Sequence, residues 1–305
     1  MSEITPYEPA RLDAVLGLMA KVYGEPPPRE EFGWWFDGNP VGPRTVVLAT
    51  EGDAVAGVLG ASCYRAVVDG EEALVALPLY AATDPAFQGR GIFQRLNAEV
   101  ERAAREAGAR LELGFTNRQA GPIYVGKLGW LDVDRLRVWA RPLVPGRRSG
   151  TVPGTVPVEQ RKRFVHKQED AYRAVAASMA NHFVRDAPYL KWRYADSPRA
   201  YAIIASRNGY AVVGRKRLKG VQTAFVADLV APSAREALWL LRRCARVARG
   251  ARVLLALPNL HRAAYAAFGF VPTPMTIRLI GHPLEGSLPV GPGSWRFSLG
   301  DTDFF

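Results

Sequence analysis

The residues best placed to do chemistry lie in Ala82-Thr83-Asp84-Pro85-Ala86-Phe87-Gln88-Gly89-Arg90-Gly91-Ile92-Phe93. Here an apolar strand runs into a glycine turn, and a long amphipathic helix pattern begins at once. The first N–H groups of a helix have no intrahelical partner and carry the positive end of its dipole, so such a turn can seat a phosphate. Glycines at Gly89 and Gly91 let the backbone come close to a ligand and take angles that a Cβ forbids. A tight strand-to-helix turn with no ligand would look the same in isolation, so the residues downstream decide its meaning. They include groups able to move protons: the Tyr124 phenol as an acid, and the Glu112 or Asp84 carboxylate as a base. His166, His182, His261 and His282 fall away from these motifs, and no spacing of Cys or His suggests a metal site.

Several elements must position these groups. Leu96, Val100, Ala103, Ala104 and Ala107 repeat at helical spacing and predict a helix over Phe93–Ala109, closed by Gly108. The alternation of Leu111, Leu113 and Phe115 predicts a strand over Arg110–Phe115. Upstream, a strand near Glu3–Tyr7 and a helix over Pro9–Tyr23 precede a second helix, Arg29–Asp37, that carries Trp34 and Trp35. Strands at Thr45–Thr50, Ala54–Ala66 and Ala73–Thr83, joined by Gly52-Asp53 and Asp69-Gly70 turns, form an antiparallel meander that leads into the glycine turn. A last strand pair spans Leu131–Ala140.

With Asn117, Tyr124 and Leu128-Gly129-Trp130 following the strand, this order resembles the GNAT superfamily of acyl-CoA-dependent N-acetyltransferases. Gln88 and Gly91 meet its glycine signature, with Phe93 standing where the family has a small residue. One residue is inserted between Tyr124 and Gly129. The resemblance covers about the first 140 residues and implies a mixed α/β (α+β) fold, a mostly antiparallel twisted sheet flanked by helices. It also implies an acetyl-CoA site between two splayed strands, with backbone donors near Ala82 and Thr83 for the thioester carbonyl. The pyrophosphate would rest on Gln88, Gly89, Arg90, Gly91, Ile92 and Phe93, with Asn117 beside the cofactor. Tyr124 and Glu112 become the catalytic candidates, and Trp34 and Trp35 candidate walls of an acceptor pocket.

The second half holds an echo of the first. Arg252-Val253-Leu254-Leu255-Ala256-Leu257-Pro258-Asn259 repeats the form of Arg110 to Asn117, and Tyr265…Phe268-Gly269-Phe270 repeats Tyr124…Leu128-Gly129-Trp130. The turn Ala231-Pro232-Ser233-Ala234-Arg235 has no glycine. The chain therefore reads as tandem GNAT-like domains: an acetyltransferase domain over 1–144, a Pro/Gly-rich linker over 145–158, a degenerate GNAT-like domain over 159–283 and a tail over 284–305. The aromatic and acidic tail is expected to dock, with Asp301 and Asp303 as candidate holders of a cationic amine at the first domain's cleft.

Charge divides unevenly along the chain's net +11. Residues 1–144 hold 15 Lys/Arg against 19 Asp/Glu, a net of −4, and the remaining 25 against 10 give +15. A basic second half suits an anionic partner as well as a solvated arginine-rich surface. Hydrophobic content of 48% with 23% charged residues marks a globular chain, no apolar run suits a membrane span, and the start lacks a signal core. A cytoplasmic location is the resulting expectation. The leading functional expectation is transfer of an acetyl group from acetyl-CoA to a small-molecule or carbohydrate amine. An aminoacyl-tRNA-dependent transferase of the peptidoglycan-bridge type and a non-catalytic acyl-CoA-binding module are the alternatives. The resemblance also admits a homodimer paired through its sheets.

Overall fold

A computed structural model describes residues 2–42, 44–116, 120–143, 155, 161–258 and 260–303. It divides into two compact units that are not contiguous in sequence. The first comprises Met1–Ala66, Glu72–Asp132 and Leu279–Leu288; the second comprises Val67–Glu71, Val133–Arg278 and Pro289–Phe305. This differs from a simple division at residue 144. The strand that begins near residue 131 passes into the second unit, and a segment near the end of the chain returns to the first. The stretch expected as a linker lies almost wholly outside the described residues.

The first unit runs β1 (Glu3–Pro6), α1 (Leu12–Tyr23), α2 (Arg29–Phe36), β2 (Thr45–Glu51), β3 (Ala54–Val68), β4 (Glu71–Thr83), α3 (Ile92–Glu106), β5 (Ala109–Thr116) and α4 (Gly121–Lys127). Its strands lie in the order β1-β2-β3-β4-β5. β1 pairs antiparallel with β2, β2 antiparallel with β3, and β4 parallel with β5. The helical periodicity of α3 buries Ile92, Leu96 and Val100 against Val47, Ala49, Ala56 and Leu59 of β2 and β3. That burial ties the glycine turn to the sheet, because the turn is the first residue before α3. Gly24, at φ +90°, closes α1.

The second unit contains β6 (Leu131–Pro142), α5 (Arg161–Ala176), β7 (His182–Phe183), α6 (Ala187–Leu190), β8 (Ala202–Ala205), β9 (Tyr210–Leu218), β10 (Val221–Val230), α7 (Ala234–Val247), β11 (Val253–Ala256), α8 (Arg262–Ala267) and β12 (Val271–Pro283). β9 and β10 form an antiparallel pair, β11 joins β10 in parallel, and β6 joins β11 antiparallel. Helix α7 buries Leu240, Leu241 and Cys244 in a core with Val226, Leu229 and Leu254. The succession β10–α7–β11–α8 thus repeats β4–α3–β5–α4, including the parallel pairing of the two strands.

The tail docks inside the second unit. Arg185, 1% exposed, donates to Asp228 Oδ2 at 2.9 Å and to Asp301 Oδ2 at 2.7 Å. Ser298 Oγ donates to Asp228 Oδ1 at 2.8 Å, and the Tyr189 hydroxyl to Asp301 Oδ1 at 2.9 Å. Arg193 donates to the Gly300 carbonyl at 2.8 Å, so it grips the tail's backbone. Burial and the charge of Asp228 raise the Asp301 carboxyl above its ordinary value, against the pull of Arg185. Removing a cation from such a centre strands buried carboxylates. Arg185→Ala is expected to lower the unfolding free energy by about 3–5 kcal/mol. Urea unfolding monitored by circular dichroism checks this; a loss below about 1 kcal/mol would show that the network is dispensable.

Candidate functional site

Strands β4 and β5 pair only at Leu74–Ala109, Val75–Leu111 and Ala76–Glu112. Beyond that register the remaining residues of the two strands continue without pairing to each other, among the described residues. The divergence coincides with a distortion of β4: Tyr80 takes φ +59°, a left-handed angle that few non-glycine residues adopt. Its ring is held edge-on by Phe32 and Phe36, with centroids 5.5 and 5.4 Å away. The aromatic helix α2 therefore braces the irregular part of β4.

The end of β4 forms one side of a cleft of about 560 Å3. Ala81, Ala82 and Thr83 line it from the strand, and Gln88, Gly89 and Gly91 from the turn. The first turn of α3 (Ile92, Phe93, Gln94) and residues Ala120, Ile123 and Lys127 close other sides. Gly89 and Gly91 sit at φ +79° and +69°, so both glycines are required by backbone angle. A Cβ on Gly89 would meet no atom within 4 Å, and one on Gly91 only the Gln94 side chain at 4.0 Å, so the space before the helix is open. Gly91 is the N-cap of α3 and no side chain caps the helix. The first backbone N–H groups thus face the cleft side of the turn without a capping oxygen.

Phe93 does not fill that space. Its ring meets Tyr124 edge-on at 5.3 Å, and Tyr124 in turn lies 4.6 Å from Trp130. The large residue in the glycine signature and the aromatic of the Leu-Gly-Trp motif therefore clamp the Tyr124 ring between them. Tyr124 is 7% exposed, at the middle of α4, and its neighbours Ile123 and Lys127 line the cleft while it does not.

The other sequence candidates fall elsewhere. Glu112 is level with Ala76, roughly six residues or about 20 Å of extended chain before Ala82. It is fully buried and neither carboxylate oxygen has a hydrogen-bond partner among the described residues. Burial pushes its pKa up to about 8, with Glu101 adding to the shift and Arg105 opposing it. That register removes it from the cleft, which corrects its reading as a base beside the cofactor. Asp84 accepts from Lys21 Nζ at 2.8 Å and from the Ala86 amide at 2.9 Å, and the Lys21 hydrogen bond holds its carboxyl below the ordinary range. It caps the turn Pro85–Phe87 and is a weakened base. Trp34 and Trp35 are 7% and 1% exposed, their rings 4.6 Å apart, so they are core residues and not cleft walls. Asp301 belongs to the second unit, both oxygens engaged by Arg185 and Tyr189, which leaves no carboxylate to hold an amine; Asp303 follows it there, half-buried. Asn117 lies outside the described residues.

Three cleft features escaped the sequence reading. Lys127 is the cation among the lining residues, and its spacing of three from Tyr124 on α4 was a usable signal. Tyr23, the last residue of α1, lines the cleft and donates its hydroxyl to the Ala81 carbonyl at 2.5 Å. Tyr80 carried no signal, because nothing in an apolar strand foretells a left-handed angle at a tyrosine.

The second unit treats the equivalent place differently. Ser233 caps α7, its Oγ accepting from the Glu236 amide at 3.2 Å, and Glu236 puts an acid into the first turn. His261 Nε2 meets the Ala231 carbonyl at the end of the preceding strand at 2.8 Å. The protein's own groups thus occupy what the first unit leaves open.

Residues 3–131 match the family model for the acetyltransferase (GNAT) domain. Solved structures of similar fold include a GCN5-related N-acetyltransferase from Kribbella flavida, with a TM-score of 0.66 at 17% identity over 93% of this chain and 71% of that one. Another, from Anabaena variabilis, has a TM-score of 0.68 at 13% identity over 93% and 73%. Eis1 from Mycobacterium abscessus has a TM-score of 0.59 at 13% identity over the same shares, 93% and 73%. No curated protein matches significantly. Residues 3–131 are thus similar to the acetyltransferase (GNAT) domain family, and the chain shares its mixed α/β fold with these structures. No helix among the described residues is long and apolar enough to cross a membrane.

The buried Glu112 has a measurable consequence. Its folded pKa of about 8 lies above the ordinary 4.5, so between those values the folded chain holds a proton that the unfolded chain releases. Stability is therefore expected to fall as pH rises through that window, by up to about 1.4 kcal/mol per pH unit. Glu112→Gln is expected to flatten the slope. Urea unfolding of both proteins at pH 5 and pH 8 checks it; equal slopes would mean that the buried carboxyl does not hold the proton.

Proposed function

We propose that the chain is an N-acetyltransferase that moves an acetyl group from acetyl-CoA to an amine. The observation that carries this reading is the uncapped N-terminus of α3 behind two left-handed glycines, beside strands that have parted. Together these offer phosphate-seeking N–H groups next to a cleft long enough for an extended ligand. Bound there, acetyl-CoA supplies an acyl group already activated as a thioester. The backbone from Gln88 to Phe93 would hold its pyrophosphate, and Ala82 and Thr83 would flank the acyl-bearing arm. Lys127 adds positive charge to the same cleft.

The chain's own groups then have two tasks. Tyr124, its ring fixed by Phe93 and Trp130, keeps a proton at the phenol oxygen for the departing sulfur. The walls exclude water and fix the direction of approach, which by itself supplies much of the rate in reactions of this type. Neither Asp84 nor Glu112 serves as the base in this reading: the ammonium loses its proton to solvent before it enters, and the proton that the nitrogen sheds after attack passes through solvent to restore the Tyr124 phenol once the sulfur has taken its own. The acceptor is a small-molecule or carbohydrate amine. The second unit reads as a degenerate copy of the first, its cofactor turn replaced by a capped helix. The open space at Gly89 supports room for the pyrophosphate beside the large Phe93 side chain.

Calorimetric titration with acetyl-CoA tests the binding step. One site is expected in the wild type. Gly91→Glu is expected to weaken binding at least 30-fold, because a side chain is strained at φ +69° and its charge opposes phosphate. Absence of acetyl-CoA binding overturns the proposal. Tyr124→Phe is expected to lower kcat about 100-fold while leaving acetyl-CoA affinity unchanged. Release of free thiol across a panel of amines reports the turnover; binding without thiol release from any amine would favour the non-catalytic module instead.

A further inference from the structure

The second unit holds a smaller cavity, about 210 Å3, at the start of β6 and the end of β11. Its lining brings together Arg137 of β6, Arg262 at the start of α8 and Arg296 of the tail. These come from three segments distant in sequence, so no single run of basic residues accounts for their meeting. None of the three has an acidic partner among the described residues. Asp134 is the carboxylate in the lining, and backbone donors already occupy it: the Arg135 amide at 2.6 Å and the Gly293 amide at 2.9 Å. With Arg135 also in the lining, four arginines face one carboxylate, so the concave surface carries a net positive charge.

Its walls hold the charges in place. The Arg262 guanidinium lies over the Trp139 ring, 5.3 Å from the centroid, which leaves its N–H edges free to donate. Trp295 stacks on Phe297 with centroids 5.4 Å apart and its indole N–H tied to the Pro289 carbonyl at 3.0 Å, so the segment that carries Arg296 between them is fixed. Trp139 is 9% exposed and Trp295 2%, which gives the guanidinium groups a low-dielectric backing. Converging guanidinium groups on a rigid aromatic wall match the planar, multi-oxygen recognition of phosphate.

We propose that this cavity binds a small oxyanion ligand, a phosphate monoester of metabolite size. The volume is below that of an ordinary drug-sized pocket, so it suits one phosphate with a short organic body. Its concavity distinguishes it from a surface stripe that tracks a nucleic-acid backbone. The cavity shares no lining residue with the cleft of the first unit and does not depend on acetyl-CoA binding.

The test uses the full-length Gly91→Glu protein, which removes the competing phosphate cradle before α3. Calorimetric titration at constant ionic strength with inorganic phosphate, glycerol phosphate and citrate is expected to show one site, with glycerol phosphate the tightest. Arg262→Gln and Arg137→Gln are each expected to weaken it at least tenfold, and Arg137→Lys less than Arg137→Gln. Both positions are exposed, and unchanged melting curves would verify that the variants fold. No binding of any of the three anions at 10 mM overturns the proposal, as does binding that both glutamine variants leave unchanged. Citrate binding tighter than either phosphate overturns the ligand class and assigns the cavity to polycarboxylates.

Discussion

The first unit depends on the parting of β4 and β5. Parallel strands normally stay paired because each unpaired backbone group costs free energy when buried. Here the ladder stops at Ala76–Glu112, well before either strand ends. What keeps them apart is local and aromatic: Tyr80 in a left-handed conformation, held by two phenylalanines of α2. Strain of this kind costs about 1–3 kcal/mol and persists only when its surroundings over-determine it. The packing of Phe32 and Phe36 supplies that support, and the cleft is its outcome.

The two units show how one order of elements can serve opposite ends. Each has a strand, a helix, a parallel strand and a short helix with a buried tyrosine. In the first, the helix begins on a left-handed glycine with no side-chain cap, and its dipole faces open space. In the second, Ser233 satisfies the same helix terminus, and His261 covers the carbonyl at the strand's end. The serine oxygen takes one of the N–H groups that a helix start leaves unpaired, and Glu236 in the first turn adds a charge that repels a phosphate. The two turns differ by two left-handed glycines against one capping serine.

The tail illustrates a different constraint. Asp228 and Asp301 could not both be buried without Arg185 between them, and Arg185 could not be buried without both. The network fixes the last described residues in the second unit's core. Docking of Trp295 and Phe297 in turn places Arg296 at the arginine-lined cavity.

Much of this was legible in the chain itself. The glycine turn, the apolar stripe of α3 and the Tyr…Leu-Gly-Trp sequence are local patterns, governed by helix period, backbone angle and the unpaired ends of helices. They marked the glycine turn as a candidate phosphate cradle, the repeated order of strand, helix and strand in the second half, and the absence of a second glycine turn. Residue type and spacing suffice for such features because the relevant physics acts within a few residues. The rest was decided by tertiary structure, because it turns on long-range register and burial. Glu112 looked like a base beside the cleft until its pairing with Ala76 set it a long way down the sheet. Trp34 and Trp35 could have faced a ligand or the core, and burial chose the core. Asp301 could have met an amine, but a buried arginine 116 residues away had the stronger claim, since an ion pair desolvated on both sides tolerates no missing partner. The compact units also ignore sequence order, with β6 and the segment Leu279–Leu288 crossing the expected boundary. Strand partners are chosen by the sheets they complete, and no local pattern in the chain records that choice.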